Sequence, residues 1–270
     1  MDQAVKYHNV RRLILAVGVF AGVILLGTGN ASAIATGKVL ASGDEWVLSD
    51  AAYSGNNGST TAFANNIVGY VGGTRYLIAA NDWQNIAYGS GFQSQLASLG
   101  VTTTDNPSFT FSLASLAQFD AVFLAGTNGS GTANASLLNQ YVQSSGSVFV
   151  CLGTGEMGGA PGEAAAWNPF LETWGLTAGS AEYFGAGNVP LVPSGHPLQV
   201  NVAAITWSAG QEISVLDPNA TVFTGQFGGA IGNRGILGVA NVPEPSTLAL
   251  LVAGAISLLF CARRWRMRAA

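Results

Sequence analysis

Two runs in the middle of this chain are apolar at almost every position: Ala121 to Ala125 (AVFLA) and Ser147 to Leu152 (SVFVCL). A third, Arg75 to Ala80 (RYLIAA), is uncharged after its first residue. A strand with one face in water alternates polar and apolar residues. A strand apolar throughout is buried on both faces, which points to a parallel sheet covered by helices.

The intervening segments have helical spacing. Phe92, Leu96 and Leu99 repeat at i, i+4, i+7 over 91–99, and Gly100 stands at the stop position. Leu137, Leu138, Tyr141 and Val142 share a face over 135–144, with Asn134 placed to cap. Phe63, Ile67, Val68 and Val71 line another helix that Thr60 or Thr61 can cap. Trp167, Phe170, Leu171 and Trp174 mark a helix over 162–174, in which Pro169 predicts a kink or restart with Asn168 as the new cap. A weak strand at 101–104 and a short helix at 113–118 complete this part.

Asp44 to Asp50 (DEWVLSD) reads as a short strand, and the small, polar residues 34–43 read as a flexible lead-in. After Gly175 the runs become short and turn-rich. The predicted fold is therefore α/β: a three-layer sandwich with a mostly parallel sheet, in flavodoxin-like order over 44–175, and a β-rich C-terminal part.

Both ends of the chain differ from this body. Lys6, Arg11 and Arg12 precede the apolar run Leu13 to Gly27, and Ala31-Ser32-Ala33 follows. This is the pattern of a secretory signal helix, residues 1–33, cleaved after Ala33 by signal peptidase once the Sec translocon has engaged it. At the other end, residues 242–270 begin with Pro243-Glu244-Pro245, an extended and accessible strip. Ser246 to Ala262 carries no charge, and as a helix it would be about 25 Å long, enough for a bilayer core. Arg263, Arg264, Arg266 and Arg268 then hold the chain end in the cytoplasm.

Pro-Glu-Pro, apolar helix and arginine cluster, in that order, resemble the PEP-CTERM sorting signal. The resemblance implies recognition and removal by exosortase, a membrane protease of Gram-negative bacteria that make exopolysaccharide, with Pro243, Glu244 and Pro245 as the recognition motif. It also implies a route through the inner membrane to the periplasm or cell surface.

With the ends set aside, the body 44–241 and its lead-in contain three basic residues, Lys38, Arg75 and Arg234, against twelve acidic ones, a net charge of about −9. The whole-chain value of −4 hides this. A body so acidic offers nucleic acid no basic patch. Cys261 lies in the tail, so Cys151 is left alone in the body, without a partner for a disulfide. No cluster of His and Cys ligands and no Asp-rich calcium loop points to a metal, and no cofactor is predicted.

The body is also similar to a group of exosortase-sorted proteins with a core of the glutamine-amidotransferase type. The pieces that carry the similarity are GDEWVLSD, AFANNI, EAAAWNPFLETWGL and SGHPLQV. The resemblance implies a flavodoxin-like α/β fold. In amidotransferases the nucleophilic cysteine follows a buried strand, as Cys151 does in Phe149-Val150-Cys151-Leu152-Gly153, although Phe149 replaces a glycine. The family's His-x-Glu pair has its counterpart in His196-Pro197-Leu198, where leucine replaces the acid.

Two readings of these residues follow. In one, Cys151 and His196 form a hydrolase centre, with Glu212 or Glu182 orienting the base. In the other, the body is non-catalytic, Cys151 is a buried strand residue and His196 fixes a turn. Gly153-Thr154-Gly155-Glu156-Met157-Gly158 also fits G-x-G-x-x-G, but Glu156 would repel a phosphate and Pro161 delays the helix. Any ligand is predicted at the carboxyl edge of the sheet, among Asn81, Asp82, Trp83, Asn128, Thr154 and Glu156.

Overall fold

In the computed structural model, residues 37–82, 86–126, 134–181 and 184–241 are described. They all belong to the unit Thr36–Ala270. The signal helix expected over 1–33 and the tail expected over 242–270 lie outside them, as do Trp83, Asn128 and Glu182. Among the described residues no helix is long and apolar enough to cross a membrane.

Seven strands form one sheet: β1 (Lys38–Ser42), β2 (Arg75–Asn81), β3 (Thr102–Asp105), β4 (Ala121–Gly126), β5 (Ser147–Cys151), β10 (Ala220–Gln226) and β11 (Asn233–Asn241). Their order is β10-β11-β1-β5-β4-β2-β3. The run from β1 to β3 is parallel throughout, and β11 and β10 add an antiparallel edge. Strands β2 to β5 stand in the order β3-β2-β4-β5, the second outside the first as a flavodoxin-like reading requires. β1 takes the fifth place beside β5. Four short strands, β6 (Leu176–Ala178), β7 (Gly187–Pro190), β8 (Ala204–Trp207) and β9 (Ile213–Val215), pair as β6-β9 and β7-β8.

Alternate residues of the central strands point to opposite faces. Leu40, Tyr76, Ile78, Phe123, Phe149 and Cys151 pack with helices α2 (Asn57–Val71) and α3 (Ser90–Ser98) through Phe63, Ile67, Phe92 and Leu96. Val39, Leu77, Val122, Leu124, Val148 and Val150 pack with α5 (Ala135–Gln143) and α6 (Ala160–Leu171) through Leu138, Val142, Trp167 and Phe170. Both faces are covered, which is why the strands read as apolar throughout. The remaining helices are short: α1 (Asp50–Gly55) and α4 (Leu113–Leu116).

Three local expectations are corrected. Part of the expected lead-in, Lys38–Ser42, is β1, paired with β5 on one side and β11 on the other. Its apolar core of three residues between glycines carries little periodicity of its own, and two neighbouring strands hold it in place. The segment after it is not a strand. Asp44 Oδ1 accepts from the Trp46 N–H at 2.7 Å and caps a 3-10 turn over Glu45–Leu48. Ser49 Oγ accepts from the Ala52 N–H at 3.1 Å and caps α1. These local side-chain bonds outcompete an extended conformation of the segment.

Finally, α6 runs through Pro169 without restarting. Asn168 does not cap; its side chain holds both backbone groups of Ala178, at 2.8 and 3.0 Å. Burial of Trp167, Phe170 and Leu171 on the sheet keeps the helix whole despite the one bond proline removes.

Candidate functional site

β1 and β5 are parallel neighbours whose chains leave toward opposite faces. β1 feeds the turn and helices on the α2 side, and β5 feeds α6 on the other. Such a divergence opens a crevice at the carboxyl ends of the strands. Asp44 and Glu45 enter it from the end of β1, Asp82 from the end of β2, Thr154 from the β5–α6 connection and Glu163 from the first turn of α6. All are buried: Asp44 0%, Glu45 4%, Asp82 6% and Glu163 1% exposed. Gln211 joins them, because its N–H donates to the Gly43 carbonyl at 2.9 Å. The approach is tight enough that a Cβ on Gly43 would lie 1.9 Å from the Gln211 carbonyl oxygen.

The carboxyls divide into two that are held by backbone amides alone or nearly so, and a pair. Asp44 accepts from Trp46 N–H and, at 2.7 Å, from Ser208 N–H. Burial nevertheless pushes its carboxyl up to about 7 against those bonds, and the charge of Glu163 adds to the rise. Glu163 accepts from Gly153 N–H at 2.7 Å, from Thr154 N–H at 2.9 Å, and from the Thr154 hydroxyl.

Glu45 and Asp82 are the pair. Burial first, then the charge of Asp82 and a hydrogen bond shared with it, push Glu45 up to about 9. At neutral pH Glu45 therefore keeps its proton. Asp82 Oδ2 accepts from Ile86 N–H at 2.6 Å and Ala87 N–H at 3.0 Å. Among the described residues, Glu45 Oε2, Asp82 Oδ1 and both side-chain polar atoms of Gln211 have no hydrogen-bond partner. Buried polar atoms without partners are uncommon in folded proteins.

The residues singled out from sequence fall in different places. Cys151 ends β5 beneath the carboxyls, fully buried. Its thiol is pushed up by burial, and by the charges of Asp82, Glu45 and Asp44, against a hydrogen bond with Tyr88. A thiol with suppressed ionisation and no exposure is a poor nucleophile.

His196 lies elsewhere. Its ring meets Phe223 of β10 and Tyr70, with centroids 5.0 and 5.3 Å apart, and its Nδ1 accepts from Leu198 N–H at 3.2 Å. β10 stands three strands from β5, a separation of roughly 14 Å. His196 lines a separate cavity of about 580 Å³ with Leu191, Pro193 and Val202. Glu212 pairs with Arg234 at 3.2 Å rather than with the histidine. The described structure thus does not bring Cys151 and His196 together, and its reason is the sheet order. Native Cys151 is expected to resist a thiol reagent such as Ellman's until the chain is unfolded; rapid labelling of the folded protein would contradict this burial.

The glycine run after β5 has no phosphate cradle, because Glu163 already takes the N–H groups of Gly153 and Thr154. Of the edge residues expected from sequence, Asp82 and Thr154 are part of the cluster, Asn81 ends β2, and Glu156 sits half-buried in the loop. Asp44, Glu45, Glu163 and Gln211 were not legible as a site. A usable signal existed for three of them. In a chain with only 9% charged residues, Asp44, Glu45 and Glu163 stand shortly after runs that become central strands.

Residues 241–264 match the sequence profile of the PEP-CTERM protein-sorting motif. Among solved structures, the chain is similar to a peptidase E-like protein from Listeria monocytogenes EGD-e, at 11% identity and a TM-score of 0.28, over 46% of this chain. It spans 61% of that protein's length. No curated protein matches it. The chain therefore carries, beginning at the last residue of β11, a PEP-CTERM protein-sorting motif.

Proposed function

We propose that this protein is an extracytoplasmic cargo of an exosortase-type membrane protease. The sorting motif at 241–264 is the observation that carries this reading. In it, residues 1–33 engage the Sec translocon and are removed after Ala33. The tail 242–270 then pauses in the inner membrane with Arg263, Arg264, Arg266 and Arg268 on the cytoplasmic side. Processing at Pro243-Glu244-Pro245 sends the body to the periplasm and cell surface.

The geometry of the body suits such a tether. Its first and last strands meet at one end of the sheet, where Lys38 pairs with Asn241 and Lys38 Nζ donates to Asn241 Oδ1 at 2.9 Å. The carboxyl cluster stands at the other end of β1. A body held by its tail would keep that edge away from its attachment.

At the surface the body acts as a non-catalytic component associated with the matrix or exopolysaccharide, the latter following from the sorting resemblance. The competing reading, a Cys151–His196 hydrolase, is disfavoured by the burial of the thiol and the distance to the imidazole. Intact-mass measurement of the protein recovered from the cell surface is expected to give a chain that begins after Ala33 and ends near Pro243–Pro245. Recovery of a chain that still contains Arg268 overturns the processing step.

A further inference from the structure

The sorting motif and the fold share a residue. The match begins at 241, and Asn241 is the last residue of β11. On one side Asn241 pairs with Lys38 of β1, while β10 pairs on the other side only as far as Ala240. Among the described residues the end of the strand therefore has a sheet partner on one side alone, and strand ends so placed open readily. Side chains oppose the opening. Asn241 Oδ1 accepts from Lys38 Nζ at 2.9 Å and from the Tyr70 hydroxyl at 2.8 Å. The Lys38 ammonium also lies over the Tyr70 ring, 5.4 Å from its centroid, which holds the two donors together. Tyr70 stands half-buried at the end of α2, its ring set against the His196 imidazole, which packs in turn on Phe223 of β10.

We propose that this corner is a latch that sets how fast the tail is cut: the processing enzyme takes the chain only after the end of β11 has let go. The inference rests on the processing reading given above and adds its regulation. Extended segments are commonly recognised as an added strand, through their main-chain groups. The end of β11 cannot offer those groups to an enzyme while they pair with β1. Val242 alone separates Asn241 from Pro243. A grip that reaches two residues ahead of the Pro-Glu-Pro strip therefore meets backbone that the sheet already holds. Opening breaks both bonds to Asn241, so removing them in advance raises the fraction of chains ready for cutting.

Pulse labelling in the cells that make the protein follows conversion of the full chain to the tail-less form. Tyr70→Phe and Lys38→Met lie outside the motif, and each removes one donor while keeping most of the side chain. Together they should speed conversion by about threefold to tenfold, since two exposed hydrogen bonds are given up. Amide hydrogen exchange of the purified full-length chain in detergent should quicken at the end of β11 and stay unaltered in β4 and β5, which shows that the fold persists. Where the double variant loosens the central strands as well, Tyr70→Phe alone, which loses a single hydroxyl, gives the same comparison. Arg75→Met breaks an exposed ion pair four strands from β11 and should leave conversion at the parent rate.

An unchanged rate without the two donors overturns the proposal. So does Arg75→Met cut as fast as the double variant, since cutting would then follow general stability. So does any result in which exchange at the end of β11 and cutting do not rise together. A parent chain that keeps its tail is a different outcome: it removes the processing reading itself, and the latch with it.

Discussion

Raising the pH from about 5 to about 9 is expected to weaken the folded body by on the order of several kcal/mol, the reverse of ordinary acid denaturation. The cause is the buried carboxyl cluster. Burial lifts Asp44 from 3.8 to about 7, and burial together with Asp82 lifts Glu45 from 4.5 to about 9. Between each pair of values the native state binds a proton that the unfolded chain has released. Stability from these groups is complete below about pH 4 and is lost as pH rises through the folded values, by up to about 1.4 kcal/mol per pH unit and group. Asp50, held below its ordinary range by the Gly91 backbone N–H, acts in the opposite sense but only in the acid limb.

Urea midpoints across this range test the expectation. Glu45→Gln cannot ionise and should flatten the profile above about pH 7, leaving the variant more stable than the parent at the alkaline end. A parent profile that is level from acid to alkaline would mean that the carboxyls are not buried as described.

The second large effect is expected at Glu163. Its carboxylate ties the first turn of α6 to Gly153 and Thr154, and Thr154 is 3% exposed. Glu163→Ala would leave two backbone N–H groups in a buried loop without acceptors. A loss of about 3–5 kcal/mol in unfolding free energy follows, from two unsatisfied donors and a broken charged network. Glu163→Gln keeps one acceptor oxygen and should cost less than half as much. The same change should loosen the edge of β5, where the loop crosses close to Gly43 and Asp44. If Glu163→Ala unfolds at nearly the parent's urea midpoint, the carboxylate is not the clasp described here.

Much of the fold was legible because its cause is local. AVFLA and SVFVCL announced two-faced burial, and helices α3 and α5 announced themselves by spacing and by the glycine at position 100, whose φ is +78°. The failures were also physical. β1 is five residues long and draws its stability from β5 and β11, which lie more than a hundred positions away. At Asp44 and Ser49, capping bonds decided between turn and strand, and the apolar run Trp46-Val47-Leu48 between them suits either. At Pro169 the packing of aromatic neighbours outweighed the intrinsic cost of proline.

The sorting tail and the sheet class could be read from sequence alone, since each depends on the order of residues within a few tens of positions. The site could not. Asp44 meets the backbone of Ser208 across 164 positions, and Glu45, Asp82 and Glu163 converge only because the carboxyl ends of β1, β2 and β5 lie along one edge of the same parallel sheet. The same sheet order parts Cys151 from His196. Periodicity shows which face of an element is buried, but not which elements will be neighbours. That choice is made by long-range packing, and here it placed the carboxyls together and withdrew the thiol.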